Sequence, residues 1–500
     1  VVNFVSSTSV RGTLDILWSS LFTLLICTWT VQHLNVPEQT PDPESWQQKL
    51  KETLQRSGTK VKWMIVTLIV PEFLVGRAFQ DWMMAKKSFS QMKEFAEKDD
   101  VKWTLTHAYY ANMGGFILKV ASTPVPDPPK HHETKAIPAQ IMPLSPPTTA
   151  IHSQPPSTSV SHVAADGKEN PKTTLILNSK TCQIQTDQPT QQLAPGPEAK
   201  DPGPGTRHHL ETSNPSTNSE KPVFAYPNAD QLYILRQNST LTRLPSISVK
   251  QIQDKSKSDA FIKGTAILQV LWLVIQILVR GAKHLPVSQL EIAVLAFAAC
   301  TLLTYTFSWS KPQNITVADL AFPTPIPLTA FLALEDQNHQ TSWFQNLTMQ
   351  HTVNTLQPIP NDAEVGPLPG SEFLTSTDVG MVLAGTIFGA LHLIAWNFHF
   401  PSSLESLLWK LSSVFLAAVL PFCYISAFVL ERMGFLKGVF HTPKTQSNPT
   451  PLHMKIMVYL CLSSYVLARM CLMVLVFRSL FFLHPGTFVT TWAKEVPHLQ

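Results

Sequence analysis

Six runs of about twenty apolar residues dominate this chain, at 14–33, 264–280, 290–309, 379–399, 409–430 and 455–477. A hydrocarbon layer about 30 Å thick takes roughly 20 residues of helix to cross. Within it each backbone N–H and C=O must find a partner inside the protein, and a helix supplies those partners locally. The pattern predicts an all-α, polytopic transmembrane helix bundle. A seventh run, 61–79, carries Pro71 and Glu72 near its middle and Arg77 near its end. It reads as a crossing, a re-entrant or an interfacial segment, so the bundle has six or seven spans. The stretch 101–118 is aromatic but too polar to cross, and is read as an interfacial or protein-packed helix with Trp and Tyr at headgroup depth.

Charged residues make up 14% of the chain, against about 25% in ordinary soluble domains. That deficit argues against a purely soluble enzyme, and a net charge of +4 is too small to imply nucleic acid as a partner. Of the six cysteines, only Cys182 lies outside an apolar run, and no CxxC pair occurs. Neither a zinc site nor a disulfide framework is indicated.

Composition changes abruptly at about 120. Twenty of the 40 prolines fall between 120 and 260, among many Ser, Thr, Gln and Asn. Such a segment buries too little apolar surface to offset the entropy of ordering, so 120–260 is read as a long disordered insert with a short strand or helix near "QLYILRQ". His131–His132 and His208–His209 within it read as solvated histidines. The domain plan is then a membrane region at 1–119, the insert at 120–260, a two-helix hairpin at 261–309, an acidic polar loop at 310–378 and a three-span region at 379–500. The acidic loop has a short helix at "LTAFLALE".

Two signals compete over orientation. Lys and Arg concentrate at 49–62, 77–102 and 432–455. The positive-inside rule puts all three in the cytoplasm if 61–79 does not cross. Sequons at Asn238, Asn314 and Asn346 become usable if it does.

The strings "RGTLDILWSSLFTLLICTWTVQHLNVP" (11–37), "VKWMIVTLIVPEFLVGRAFQDW" (61–82), "WTLTHAYYANMGGF" (103–116), "LPVSQLEIAVLAFAACTLLTYTFSWSKP" (285–312) and "GALHLIAWNFHFPSSLESLLWK" (389–410) resemble a large family of uncharacterised fungal multi-pass membrane proteins. The resemblance spans most of the chain outside the insert. It implies a fungal integral membrane protein, and no activity, cofactor or catalytic residue.

Charges at membrane depth cost several kcal/mol and tend to face the bundle interior with partners. Arg469 lies near the middle of the last run, and Glu72, beside the helix-breaking Pro71, is its expected partner. Asp15 and Glu291 lie nearer the ends of their runs. At about 100° per residue, Gly385, Gly389, His392, Trp396 and His399 share one face, the glycines permitting close helix approach. The two histidines suit interhelical hydrogen bonding better than a metal, for which no spacing supplies further ligands. Gln269, Trp272, Gln276 and Arg280 form a second polar stripe, and Asp15, Ser19, Thr23 and Thr30 a third. Such stripes either join helices or line a polar cavity.

There is no Walker loop, no GxGxxG before a helix and no GxSxG elbow. The basic stretches flanking the apolar runs point to anionic membrane lipids as partners, and the insert to protein partners. Three classes remain: a transporter- or channel-like bundle, a sensor or scaffold acting through the insert, and an intramembrane enzyme using His392 and His399. None specifies a small-molecule ligand.

Overall fold

The computed structural model describes residues 11–39, 45–121, 223–256, 260–335, 341–342, 356–364, 375–434 and 452–491. Among these, helices α1 (Thr13–Trp29), α2 (Trp46–Ile69), α3 (Pro71–Lys98), α4 (Leu105–Asn112), α5 (Ala229–Gln237), α6 (Val249–Lys255), α7 (Ala260–Ala282), α8 (Gln289–Ser308), α9 (Leu328–Glu335), α10 (Ser376–Leu393), α11 (Ser403–Arg432) and α12 (Leu452–Ser479) make an all-α bundle. Five stretches are long and apolar enough to cross a membrane: Ile262–Ala282, Gln289–Ser308, Ser376–Asn397, Ser403–Leu430 and Tyr459–Ser479. Helix α1 is apolar but shorter, at 17 residues.

Local chemistry sets where these helices begin. Ser288 Oγ accepts from the Glu291 amide, and the Glu291 carboxylate accepts from the Ser288 amide and hydroxyl. Thr375 and Asp378 repeat this reciprocal cap at α10. Each pair satisfies amides that a helix leaves unbonded at its start.

The 61–79 run resolves into two helices. Pro71 has no N–H to continue the ladder, so α2 stops, Val70 takes a non-helical conformation (φ −137°, ψ 71°), and Pro71 opens α3 at its first position. The chain then folds back on itself. Trp63 stacks on Phe73 at 6.1 Å and 7°, residues that a continuous helix would hold about 15 Å apart.

One end of the bundle carries a compact head built from the C-terminal half of α3, α4, α5, α6, α9 and a three-stranded sheet. Strand β1 (Phe116–Ala121) is central, antiparallel to β2 (Val223–Ala225) and parallel to β3 (Asp319–Pro327). Met92, Trp103, Tyr110, Phe116, Leu118, Leu232, Leu235, Ile252 and Phe331 share its core. A two-residue ladder joins β4 (Thr341–Ser342) to β5 (Ala363–Glu364).

Two sequence expectations change here. The insert does not extend to 260: residues 223–256 fold into β2, α5 and α6 because Leu232, Leu235 and Ile252 complete the head core. The 101–118 stretch is a short helix followed by a strand, and Trp103, Tyr109 and Tyr110 are buried in protein. The helix at "LTAFLALE" is α9. The reading of 122–222 as disordered, with His131, His132, Cys182, His208 and His209, lies outside the described residues, as does Asn346.

Candidate functional site

Glu72 is the second residue of α3 and is fully buried. Its position follows from Pro71, which starts the helix inside the bundle and leaves the first-turn amides beside the carboxylate. The positive end of the helix dipole favours a negative group there. Arg469, about midway along α12, approaches to 3.8 Å between Nη2 and Oε1. Its Nε–H donates to the carbonyl of Ile69, the last residue of α2, at 3.1 Å. The guanidinium lies 3.5 Å from the centroid of Phe388 and 5.5 Å from that of Phe297, where ring quadrupoles attract a cation. Three atoms are left incomplete: among the described residues neither Glu72 oxygen nor Arg469 Nη2 has a hydrogen-bond partner. The buried Tyr465 hydroxyl and Cys300 thiol feel the same carboxylate, and Tyr465 approaches it without reaching hydrogen-bond geometry.

Phe388 also touches His392, at 4.5 Å between ring centroids. His392 Nδ1–H donates to the Phe388 carbonyl at 2.8 Å, and the His392 carbonyl accepts from Trp409 Nε1–H at 3.1 Å. His392 is thus a buried neighbour of the pair. His399 is not. Helix α10 ends at Leu393, a 3-10 turn covers Ile394–Asn397, and the shared face lapses. His399 is exposed on a cavity of about 490 Å³ at the end of the bundle away from the head, with His284 and His484. Among the described residues no group of three or more His, Cys, Asp or Glu is placed to hold a metal ion.

The other sequence candidates join helices. Gln269 Nε2–H donates to Thr23 Oγ1 at 3.0 Å, so the polar stripes of α7 and α1 meet. Gln276, two turns on, is half-buried. Asp15 accepts from the Gly12 amide at 2.9 Å and caps α1. Arg280 donates to the carbonyls of Pro286, Gly486, Thr487 and Val489, tying down the segment after α12. Glu291 pairs with Arg11 at 2.5 Å. A Cβ on Gly389 would strike the backbone of Ala417 in α11, and one on Gly385 would come within 2.5 Å of Leu420.

A second polar cluster, which the sequence did not single out, joins the bundle to the head. Asp81 binds Lys311 at 2.8 Å and Arg77 at 3.4 Å. Burial would raise its pKa, but Lys311 and then Arg77 outweigh burial and hold it below the ordinary range. Arg77 and Gln80 donate to the Ala363 carbonyl, and Asn35 binds Asn361 and Pro360, so this cluster pins the 356–364 strap. A sequence signal existed: Arg77 and Asp81 are four apart on one helix face. Lys311 is the lone lysine of a long acidic stretch. Gly76 and Gly380, whose backbones meet where α3 crosses α10, were also missed.

The profile of a family of unknown function (DUF8562) matches residues 1–134 and 231–326. The match includes Glu72 and most of the head but stops before Arg469. A search of curated proteins and a search of solved structures each return no match.

Proposed function

We propose that this chain is a multi-pass integral membrane protein. Helices α1, α7, α8, α10, α11 and α12 cross the bilayer, while α2–α3 enters from the head side and turns back at Val70–Pro71. Irregular backbone at membrane depth is tolerated where protein covers it, and Pro71 is buried. The basic stretches 49–62 and 77–102 fall on the head side, as do the end of α11 and the start of α12. That supports a cytoplasmic head under the positive-inside rule. The resemblance to fungal multi-pass proteins agrees with this class.

Within that frame the best-supported reading is a transporter- or channel-like bundle in which Glu72 and Arg469 form a coupling site. One observation carries it: a fully buried carboxylate at the start of an interrupted helix has, among the described residues, no donor within hydrogen-bond geometry of either oxygen, only Arg469 at 3.8 Å and the Tyr465 hydroxyl nearby. Interrupted helices whose ends reach mid-membrane are how many transporters hold ions, and intramembrane charges often serve proton or substrate pathways. In this reading the Glu72 carboxylate is the group that the transported proton or cation engages, and Arg469 is its fixed counter-charge. The test is proton flux into sealed vesicles holding the purified protein and an internal pH dye, under an imposed membrane potential. Flux is expected with the native chain and lost in Glu72→Gln, compared at equal amounts of folded protein in the vesicles. Equal flux in both, or none in either, would sink the coupling reading.

A sensor or scaffold is the second reading. Residues 122–222 leave and rejoin the head at paired strands, Val120 lying opposite Val223. The segment therefore departs from a single place on the head, as a presented partner-binding segment would.

A further inference from the structure

Helix α2 has two unlike faces. Trp63 and Thr67 are buried, whereas none of residues 46–62 is. On the outward side Trp46, Leu50, Leu54, Val61 and Ile65 are 70%, 49%, 62%, 40% and 48% exposed. At 100° per residue these five fall within an arc of about 100° that runs the length of the helix. Lys49, Arg56 and Lys60 lie along one edge of that arc and Lys51 and Lys62 along the other, with Glu52 the one acid in the helix. Among the described residues little packs on the first four turns, and isolated helices of that length are marginal in water. Yet the turn begins with a deliberate cap, the Gln47 amide donating to Ser45 Oγ.

We propose that α2 bends at Ser57–Gly58, so that its N-terminal half lies in the surface of an anionic lipid layer on the head side while Ile69 keeps its contact with Arg469 inside the bundle. The Trp46–Leu50–Leu54–Val61–Ile65 stripe sits among the acyl chains, and the five basic side chains reach lipid phosphates from both edges. Two observations favour lipid over a protein partner. The cations flank the stripe on both sides, which suits side chains that bury their stems and extend their charges to a headgroup plane. The stripe also meets the apolar surface of the bundle: Lys60 lies 5.5 Å from the Trp29 ring at the head end of α1, where Leu25 and Trp29 are exposed. This inference needs the bundle to sit in lipid and needs nothing of the Glu72–Arg469 coupling.

The experiment attaches a nitroxide to the full chain, freed of its native cysteines, at Leu50→Cys, Leu54→Cys, Gln48→Cys or Gln55→Cys. Oxygen and water-soluble nickel accessibilities are then compared in vesicles of phosphatidylcholine alone and of phosphatidylcholine with phosphatidylserine. With phosphatidylserine, Leu50 and Leu54 are expected at acyl depth and Gln48 and Gln55 in water. Each basic residue changed to Gln lowers the anionic preference about fivefold. High salt releases the helix into water while the protein stays in the vesicle. Water exposure of all four sites in both lipids would overturn the proposal, as would equal burial in both. So would spin–spin broadening at Leu50, which would identify a second copy as the occupant. The readout is independent of proton flux, so either proposal can fail alone.

Discussion

The head and the bundle are built from one chain on opposite plans. The head hides Tyr110, Phe116 and Leu118, and places Lys98 and Glu94 on its surface. The bundle exposes Leu268, Phe422 and Leu467, each more than 60% accessible, and hides Glu72, Arg469 and His392. Each side chain goes where its surroundings cost least, so the inversion is what the proposed membrane placement of the bundle would produce. Water rewards burial of apolar surface in the head. In a bilayer that reward vanishes between helices, and close packing with polar contacts holds them instead. Gly389 on Ala417 and Gln269 on Thr23 are contacts of this second kind.

The sharpest way to break the comparison is at the buried pair. Arg469→Leu leaves a carboxylate with no counter-charge, which costs about 3–5 kcal/mol where a buried pair is split. Replacing both, Glu72→Leu with Arg469→Leu, is expected to regain most of that loss, because two apolar side chains need no compensation. Denaturation in detergent measures it, and the head should keep its hydrogen-exchange protection throughout. A double variant no better than Arg469→Leu would mean that the charges are not coupled.

In the head the corresponding contact is Asp99, whose carboxylate accepts from Arg236 at 2.6 and 2.9 Å and from the Leu244 amide at 2.7 Å. Asp99→Ala should cost about 1.5–3 kcal/mol, the range for hydrogen bonds to charged groups, and loosen α5 without touching the bundle. The hydrogen bond from Arg236 holds Asp99 below the usual carboxylate range. Its contribution is complete above the unfolded value near 3.9 and is lost as pH falls through the lower folded value. Burial also lowers the pKa of His107, whose Nε2–H donates to the Ile247 carbonyl. That contribution is complete above about 6.5 and declines as pH falls below it. Acid should therefore loosen the head in two stages, followed by hydrogen exchange of α4 and α5. Asp99→Ala removes only the lower stage.

Two alanines separate packed from unpacked glycine. Alanine favours a helix over glycine by about 1 kcal/mol. Gly58→Ala, in open space on α2, should gain that amount as helicity. Gly389→Ala must displace Ala417, and overpacking of about 1–3 kcal/mol should outweigh the gain. Opposite signs in thermal melts sharpen the claim that close approach holds the bundle, and equal signs break it.

The bundle was more legible in the sequence than the head for a physical reason. Lipid imposes a long, unbroken apolar signal, and a charge inside it stands out, which is why Glu72 could be matched to Arg469 across some four hundred residues. Pro71 announced a break but not its direction, since the turn-back depends on Trp63 finding Phe73. Gly76 and Gly380 carry no mark that Gly58 lacks, and only the meeting of α3 with α10 distinguishes them. The head draws its core from segments around 92–121, 223–252 and 315–334. Each is broken into elements mostly too short to show a period, and the middle one was averaged into the proline-rich composition beside it. His399 was misjudged because the helical face was extended past Leu393, where the helix ends.

The smallest expected effect concerns the junction at β1 and β2. Because Val120 pairs with Val223, the chain on either side of 122–222 already lies together, and a short turn can join it. Closure entropy changes slowly with loop length, so replacing 124–221 by such a turn should leave the stability unchanged or raise it by up to about 3 kcal/mol. Extending the cut to 255 removes Leu232, Leu235 and Ile252 from the head core and should unfold the head. The bundle, with its own contacts, should survive both cuts. Should the shorter deletion unfold the head as well, 122–222 would belong to the head's architecture. A folded, shorter chain gives the form in which to ask whether proton flux and partner binding reside in different parts of the protein.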